Sequence, residues 1–438
     1  MCSTMQLRSM RGSEAALAAA GGADFSSRLS EDGRELQEAA KRSEKVAAAH
    51  RNEWHLVFLW KFTRCLLNIL GAGISCFPNE NWWQNLRAMR LQHLKLFIAV
   101  GILGCGPLVQ SARGQNSATF DADGTAHIAR VIHPPASVSP EAQKWLESLN
   151  HAGPAARTLE ERRKGTDEWR LRQSAVAKKL FPVNIEEQTI GGVRCDVISP
   201  LEMPEANKGR VLINLHGGGF NADSGSLIEG DPIANLTKIK VVSVYYRLAP
   251  EHPFPAAVED VVAVYRELLK TYKPKNIGMF GTSAGAILTA ETTVKLKLLG
   301  LPLPGALGMF SGLADYTRVP DSGLMYALNG LAGELPVKDP KHREPDAYVG
   351  KTDPKDPVLS PLFADLHGMP PSLLVTSTRD SLLSDTAIFH RALLAAGDDA
   401  ELIVFEALPH AFWYHFEFPE TTECLNLMAK YFDRKLGR

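Results

Sequence analysis

The chain has 438 residues and a formal net charge of −1, with 48 basic and 49 acidic side chains. The length allows two or three average domains, although a single α/β domain can exceed about 200 residues. The balanced charge excludes binding to nucleic acid through a strongly basic surface. The stretch richest in arginine and lysine, Arg157–Arg172, contains interspersed acidic residues, so it predicts a solvated helical face.

Cysteine usage argues against a metal site and against a disulfide framework. Four of the six cysteines lie in the first quarter of the chain, which leaves only Cys195 and Cys424 in the remainder. No C-x-x-C or Cys/His spacing typical of a metal site occurs. We predict that Cys195 and Cys424 are buried thiols, with a disulfide between them as the alternative.

A segment that resembles a secretory signal lies at an unusual place, residues 89–114. Basic residues follow Met89, an apolar run covers Leu96–Val109, and small residues lead to Gln115. The run of about 14 residues is shorter than the roughly 20 that span a membrane. Either translation begins at Met89, or the whole chain is made and the apolar run is an anchor or a buried helix. The first interpretation predicts a secreted or periplasmic protein without a stable membrane span, and the second a cytoplasmic or membrane-anchored one.

Residues 1–88 carry no motif that we can interpret. Residues 115–182 are predicted to form a polar leader followed by two or three amphipathic helices, because apolar and aromatic residues recur at helical spacing from Pro140 to Leu180. Two strand-like runs, Ile185–Ile190 and Val193–Ile198, then flank a pair of glycines, which predicts a β-hairpin.

Residues 183–438 are predicted to form one α/β domain. Apolar strands that alternate with helices are typical of a mostly parallel sheet covered by helices on both faces. The predicted strands are Val211–Leu215, Val241–Tyr245, Ile277–Phe280, Gly305–Phe310, Ser372–Ser377 and Glu401–Phe405. The predicted helices are Ala256–Tyr272, Ala284–Lys297, Leu382–Ala396 and Glu420–Lys435.

Three glycines, Gly217, Gly218 and Gly219, follow the first of these strands directly after His216. Consecutive glycines allow backbone N–H groups to face a bound carbonyl without obstruction by side chains. We predict an oxyanion hole made by the amides of the glycine run and of Ala284, with Gly217 the weaker donor. The alternative is a plain flexible turn, which rarely needs three glycines after a buried strand.

The segment Gly281-Thr-Ser-Ala-Gly285 lies between a predicted strand and a predicted helix. In that context a G-x-S-x-G pattern indicates a nucleophile elbow, a sharp turn that exposes the serine hydroxyl at the edge of the sheet. The pattern alone is only moderately specific. Together with the upstream glycine run and the residues downstream it predicts that Ser283 is the nucleophile of a serine hydrolase.

A serine hydroxyl is a poor nucleophile at neutral pH and needs a base, which in turn needs an orienting acid. In the α/β-hydrolase fold the nucleophile, the acid and the histidine occur in that order along the chain. Asp380 follows the predicted strand Ser372–Ser377 and His410 follows the last predicted strand, so we predict Ser283, Asp380 and His410 as the catalytic triad. Asp385 is predicted to be a capping or surface carboxylate, and His415 a packing or lid-facing residue.

Residues 211–438, together with the helical segment from about residue 140, resemble the hormone-sensitive-lipase-like family of bacterial carboxylesterases. The motifs that carry the resemblance are His216–Phe220, Tyr246–Ala257, Gly281–Gly285 and Asp380–Asp385. His410 matches the family's histidine, although Pro409 and Ala411 replace its usual neighbours. Neither neighbour supplies a reacting side chain.

The resemblance implies an α/β-hydrolase fold with an N-terminal helical cap over the site, formed by the segment Pro140–Leu180. It implies no metal and no organic cofactor. It also implies that His252 and Asp260 are scaffold residues that brace the loops around the site rather than catalytic groups.

The predicted function is therefore a serine carboxylesterase that hydrolyses short-chain acyl esters through an acyl-enzyme. The predicted partner is a small-molecule ester, with no nucleic acid, and a homodimer is left open. An amidase or deacetylase with the same triad is the alternative, because the motifs do not separate ester from amide cleavage. A more remote alternative is a non-catalytic binding protein on the same fold, but such a protein would have lost the histidine that is present here.

Overall fold

The computed structural model describes residues 118–128, 130–149, 158–333, 335 and 347–437. The N-terminal extension and the signal-like segment lie outside these residues, and so do the predictions made for them. The chain divides into two compact units, Met1–Arg130 and Val131–Arg438. In the described part of the first unit, β1 (Thr119–Phe120) and β2 (Ala126–His127) form a small exposed antiparallel pair.

The second unit contains an eight-stranded sheet in the order β10-β9-β8-β7-β5-β6-β4-β3. Its first two strands are the predicted hairpin, β3 (Val183–Ile190) and β4 (Val193–Pro200), and β4 also pairs antiparallel with β6. The other pairs are parallel. The parallel strands are β5 (Val211–Leu215), β6 (Lys240–Val244), β7 (Ile277–Thr282), β8 (Ala306–Phe310), β9 (Ser372–Ser377) and β10 (Ala400–Phe405). Every strand predicted from the sequence is present.

Helices precede the sheet and alternate with its parallel strands. They are α1 (Pro140–Ser148), α2 (Leu159–Leu180), α3 (Ser226–Thr237), α4 (Ala256–Leu268), α5 (Ala284–Leu298), α6 (Asp321–Met325), α7 (Leu383–Ala395) and α8 (Pro419–Lys435). The predictions of α4, α5, α7 and α8 are confirmed, although α4 ends earlier than its sequence pattern indicates. Within the described ranges no helix combines the length and the apolar character that crossing a bilayer requires.

The sheet has a hydrophobic core on each face, because successive side chains of a strand point to opposite sides. On β5, Ile213 and Leu215 belong to the core that α4, α5 and α7 cover. Leu212 belongs to the opposite core, which α3 and α8 cover. Cys195 and Cys424 lie in different cores as free buried thiols, as predicted. The predicted fold class, a mostly parallel sheet with helices on both faces, is confirmed.

The helix α3 is absent from the sequence-based prediction. It contains Gly230 and Pro232, both of which disfavour helix interiors. Most of its residues are buried, so the sequence shows no amphipathic period. A β-carbon on Gly230 would lie 2.3 Å from the end of the Ile198 side chain, so α3 packs closely against β4 at this glycine. Tertiary packing therefore forms a helix that local preferences do not indicate.

Of the two or three helices predicted before the sheet, the described residues form two, α1 and α2. Ser139 caps α1, and both its N–H and its hydroxyl donate to the Glu420 carboxylate at the start of α8, at 2.6 and 2.8 Å. The Trp145 ring of α1 packs against the rings of His415 and Phe418, with centroids 4.9 and 5.7 Å apart. These contacts fix α1 against the segment that follows β10.

Candidate active site

Ser283 lies in the turn between β7 and α5, and its backbone has φ 58° and ψ −120°. Its N–H donates to Phe310 O at 2.9 Å, which holds this unusual conformation in place. A β-carbon on Gly281 or Gly285 would lie 2.1 or 1.7 Å from Leu215 O, so strand and helix approach closely only because both residues are glycine. The turn has the strand–turn–helix geometry expected of a nucleophile elbow.

Asp380 and His410 come together at the same edge of the sheet. Asp380 follows β9, His410 follows β10, and the His410 Nδ1 atom lies 2.8 Å from Asp380 Oδ1. The His410 side chain is 8% exposed and the Asp380 side chain 1%. Asp380 also accepts hydrogen bonds from the hydroxyls of Ser311 and Thr376 and, at 2.9 Å, from Leu382 N. The carboxylate therefore has donors on both oxygens and one fixed orientation.

The pKa of Asp380 lies below its ordinary value despite complete burial. Burial raises this pKa. The charge of His410 and the hydrogen bonds from His410, Ser311 and Leu382 N together lower it by more than burial raises it. Asp380 is therefore an ionised acceptor at neutral pH. An ionised carboxylate bound to Nδ1 is the group that orients a catalytic imidazole.

The glycine run presents unpaired amides at this edge. Gly218 and Gly219 have φ of 119° and 62°, and a β-carbon on Gly218 would lie 2.0 Å from Ala222 O. Among the described residues, no backbone or side-chain acceptor takes the N–H groups of Gly218, Gly219 or Ala284. These are three of the four amides that the sequence predicts to face a substrate carbonyl.

The peptide between Gly217 and Gly218 is fixed from its carbonyl side. Gly217 O accepts a hydrogen bond from Ser224 N at 3.1 Å and lies 2.8 Å from the His216 Nδ1 atom. The carbonyl and the next N–H belong to one planar trans peptide. Holding the carbonyl therefore sets the direction of the Gly218 N–H. The imidazole of His216 also stacks on the Tyr246 ring, with centroids 4.2 Å apart.

Asp385 and His415 lie near the predicted triad in the sequence and were predicted to have no catalytic role. Asp385 lies in the first turn of α7 and its residue is only 7% exposed, so the prediction of a surface position was wrong. A carboxylate there still suits the positive end of the helix dipole. His415 packs against Trp145 and stacks on Phe418, as predicted for a packing residue.

The two predicted scaffold residues behave differently. Asp260 is buried and accepts from the backbone N–H and the guanidinium of Arg247, at 2.8 and 3.0 Å, so it braces the loop after β6. The His252 side chain is exposed, and in the described part of the chain only its N–H, bonded to Leu248 O, makes a hydrogen bond. The expectation that the His252 side chain braces the site is therefore wrong.

The arginines of α2 correct part of another prediction. The stretch Arg157–Arg172 was expected to be a solvated face, and most of its described residues are exposed, but the Arg163 and Arg170 side chains are only 30% and 17% exposed. Arg162 and Arg163 reach the loop that carries the glycine run, where they donate to Gly218 O and Asn221 O at 3.2 and 2.7 Å. The sequence could not indicate these contacts, because more than fifty residues separate the partners.

A buried carboxyl group near the glycine run was also not predicted from the sequence. Glu229 of α3 accepts hydrogen bonds from Asn214 Nδ2 at 2.9 Å and from the Tyr414 hydroxyl. Complete burial raises the pKa of Glu229 to about 8, although both hydrogen bonds act in the opposite direction. Two acidic residues, Glu229 and Asp231, stand among apolar residues, Gly and Pro in Leu227–Ala234, and this pattern is the signal that could have indicated a buried carboxyl group.

Comparison with known proteins identifies the class. Residues 212–414 match the family described as the alpha/beta hydrolase fold. An acetyl-hydrolase of Streptomyces hygroscopicus is 32% identical over 241 residues, which cover 53% of this chain and 79% of that protein. A solved esterase is 30% identical with a TM-score of 0.62 and covers 72% of this chain and 99% of that one. An esterase from the bacterial hormone-sensitive lipase family is 29% identical with a TM-score of 0.58, covering 68% and 99%.

Fold, sequence and relatives agree on one class of enzyme, a carboxylic ester hydrolase with the α/β-hydrolase fold. The chain belongs to the hormone-sensitive lipase family of bacterial esterases. The family resemblance in the sequence is thereby confirmed.

Proposed function

We propose that the protein is a serine carboxylesterase in which Ser283, Asp380 and His410 form the triad. His410, oriented by ionised Asp380, takes the hydroxyl proton as Ser283 Oγ attacks the ester carbonyl. His410 then protonates the leaving alcohol, and an acyl group remains on Ser283. Water activated by His410 releases the acid and restores the serine.

The observation that carries the proposal is the hydrogen bond of 2.8 Å between His410 Nδ1 and buried Asp380. With Nδ1 bonded to a carboxylate, the imidazole keeps the tautomer in which Nε2 accepts a proton. The elbow turn of Ser283 lies at the same edge of the sheet. The free amides of Gly218, Gly219 and Ala284 would bind the oxyanion, and Gly217 is a weaker candidate donor.

We propose short acyl groups, up to about eight carbons, as the preferred substrates. The relatives named esterase and acetyl-hydrolase support a small acyl group. A deacetylase acting on an N-acetyl compound is the second candidate, because the name acetyl-hydrolase does not state which bond is cleaved.

Replacement of the nucleophile tests the mechanism. Ser283→Ala should lower kcat by about five to six orders of magnitude and leave the fold intact, because triad members act as a unit. Hydrolysis of p-nitrophenyl acetate and a circular dichroism spectrum would measure both. Retention of a tenth of the activity would remove Ser283 from the mechanism.

A substrate panel tests the acyl group and the bond. Rates across p-nitrophenyl esters from acetate to palmitate should be highest at eight carbons or fewer, and the matching p-nitroanilides should react far more slowly. Efficient hydrolysis of emulsified long-chain triglyceride would contradict the short-chain proposal. Faster anilide hydrolysis would favour the amidase or deacetylase.

A further inference from the structure

The peptide between Gly218 and Gly219 is held by three donors. Gly218 O accepts hydrogen bonds from Asn221 N at 3.3 Å, from Ala222 N at 3.2 Å and from Arg162 Nη2 at 3.2 Å. Two of these donors belong to the turn itself. The third is a charged side chain on α2, far away in the sequence.

The position of that carbonyl controls a proposed oxyanion donor. The Gly218 carbonyl and the Gly219 N–H share one planar trans peptide and point in opposite directions. A β-carbon built on Gly219 would lie 3.1 Å from Arg162 Nη2, so the guanidinium lies against this peptide. A cation at the carbonyl oxygen also polarises the peptide, which strengthens the N–H as a donor.

The peptides that carry the Gly218 and Ala284 N–H groups are held by donors outside α2. Gly217 O, which precedes the Gly218 N–H, is bound by Ser224 N, and Ser283 O, which precedes the Ala284 N–H, accepts from Ile287 N at 3.1 Å. Among the described residues, the Gly218–Gly219 peptide is therefore the oxyanion candidate that depends on the helical segment before the sheet.

Arg163, the next residue of α2, keeps the helix in place for this contact. Its guanidinium makes two bonds of 2.7 Å to the Glu251 carboxylate and a third of 3.0 Å to Ala249 O, while its Nε donates to Asn221 O. Arg162 also contacts the Asn221 side chain. Neighbouring arginines thus attach one end of α2 to both loops beside the site.

We propose that Arg162 is a positioning residue that orients and polarises the Gly218–Gly219 peptide for oxyanion binding. The inference rests on the proposed function, because it assumes an oxyanion at this edge. The contact lies on the far side of the peptide from the expected oxyanion, so Arg162 acts through the Gly219 N–H rather than by touching the substrate.

Substitution of Arg162 should therefore affect the transition state more than substrate binding. Loss of an oxyanion donor itself lowers kcat about 10²–10³-fold, and loss of its support should cost less. We expect Arg162→Ala to lower kcat about 10-fold with KM within about twofold, and Arg162→Lys to recover part of the loss. Arg172→Ala is the matched control, since Arg172 is an exposed residue of the same helix.

Inhibitor binding separates positioning from general structural damage. An alkyl trifluoromethyl ketone forms a serine adduct with an oxyanion, whereas the matching carbinol fills the site without one. Arg162→Ala should lower the affinity for the ketone by about the factor lost in kcat/KM and leave the affinity for the carbinol unchanged. An equal loss of affinity for both compounds, or an unchanged kcat, would overturn the proposal.

Ser283→Ala in the same assay separates the two proposals. If Ser283→Ala remains active, the proposed function fails. If Ser283→Ala is inactive while Arg162→Ala matches Arg172→Ala, only the role of Arg162 fails. Should Arg162→Ala not fold, Arg162→Met decides the question, because methionine has an apolar stem without a donor, and kcat and ketone affinity at wild-type values for this variant would overturn the inference.

Discussion

At the scale of single residues, Ser283 has a backbone conformation that few serines adopt. Positive φ in a residue with a β-carbon costs on the order of 1–3 kcal/mol, and here the close packing of β7, α5 and Leu215 around it maintains the conformation. Ser283 also stands at the N-cap position of α5, yet its side chain makes no capping hydrogen bond. The hydroxyl is therefore not used to stabilise the helix and remains available for chemistry.

The two aspartates after β9 should differ sharply in their effect on activity. Asp380→Asn should lower kcat by about 10⁴, as the equivalent change does in a serine protease, because the amide stabilises the wrong imidazole tautomer. Asp385→Asn, in the first turn of α7, should cost less than about tenfold because the hydrogen bond between Asp380 and His410 Nδ1 remains in place. Steady-state kinetics on both folded variants measures the ranking. The reverse order would move the acid to Asp385.

The buried carboxyl of Glu229 should make stability depend on pH. Its pKa is about 8 in the folded enzyme and about 4.3 in an unfolded chain. Between these values the unfolded state releases the proton and the folded state retains it, so the free energy of unfolding falls as pH rises. Glu229→Gln, which mimics the neutral acid, should remove this slope.

Denaturant titrations at pH 5 and pH 8 would measure the effect. The free energy of unfolding of the wild-type enzyme, relative to Glu229→Gln, should decrease between these pH values by a few kcal/mol, since each unit of pKa difference corresponds to about 1.4 kcal/mol. A difference that stays constant with pH would mean that Glu229 is ionised in the folded enzyme.

At the scale of secondary-structure elements, the sequence predicts best where the pattern is local. The strands β5 to β10 are short apolar runs between turn residues, and Gly281–Gly285 identifies its own turn. The helix α3 was not predicted, because burial on nearly all sides leaves no amphipathic period in its sequence. The contacts of the α2 arginines were not predicted for another reason, since their partners Gly218 and Glu251 come from loops far away in the sequence.

Removal of α1 and α2 should impair the enzyme. A chain beginning at Pro182 loses the Trp145 packing on His415, the Ser139 contact with Glu420 and the α2 arginines. We expect a lower melting temperature and at least a tenfold loss of kcat. A chain beginning at Gln115 is the control, and it should fold with full specific activity.

At the scale of the whole molecule, the order of motifs along the chain predicted the arrangement of the site. Parallel strands place their carboxyl ends at one edge, so Ser283, Asp380 and His410 could be assigned to that edge from strand order alone. The order of motifs could not predict contacts that cross from one element to another. Glu229 bonds to Asn214, and Arg162 to Gly218 O, only in the folded chain.

We expect the mature enzyme to begin near Gln115 and to be exported. The reason is that a basic start, an apolar run of signal length and a small-residue exit occur together only after Met89. Expression of the whole gene in a bacterial host, followed by mass spectrometry of the N-terminus and activity assays of periplasm and cytoplasm, measures this. Active enzyme that retains residues 1–88 would contradict the expectation.

The proposed oxyanion donors are backbone amides, and this limits what conventional mutagenesis can reveal. A β-carbon at Gly218 would collide with Ala222 O, so an alanine there reports a steric clash and not the value of the N–H group. An α-hydroxy acid incorporated at Gly218 or Gly219 would exchange one NH for an oxygen atom and change little else. Atomic replacement in the main chain, rather than side-chain libraries, is the means by which this catalytic machinery can be dissected or redesigned.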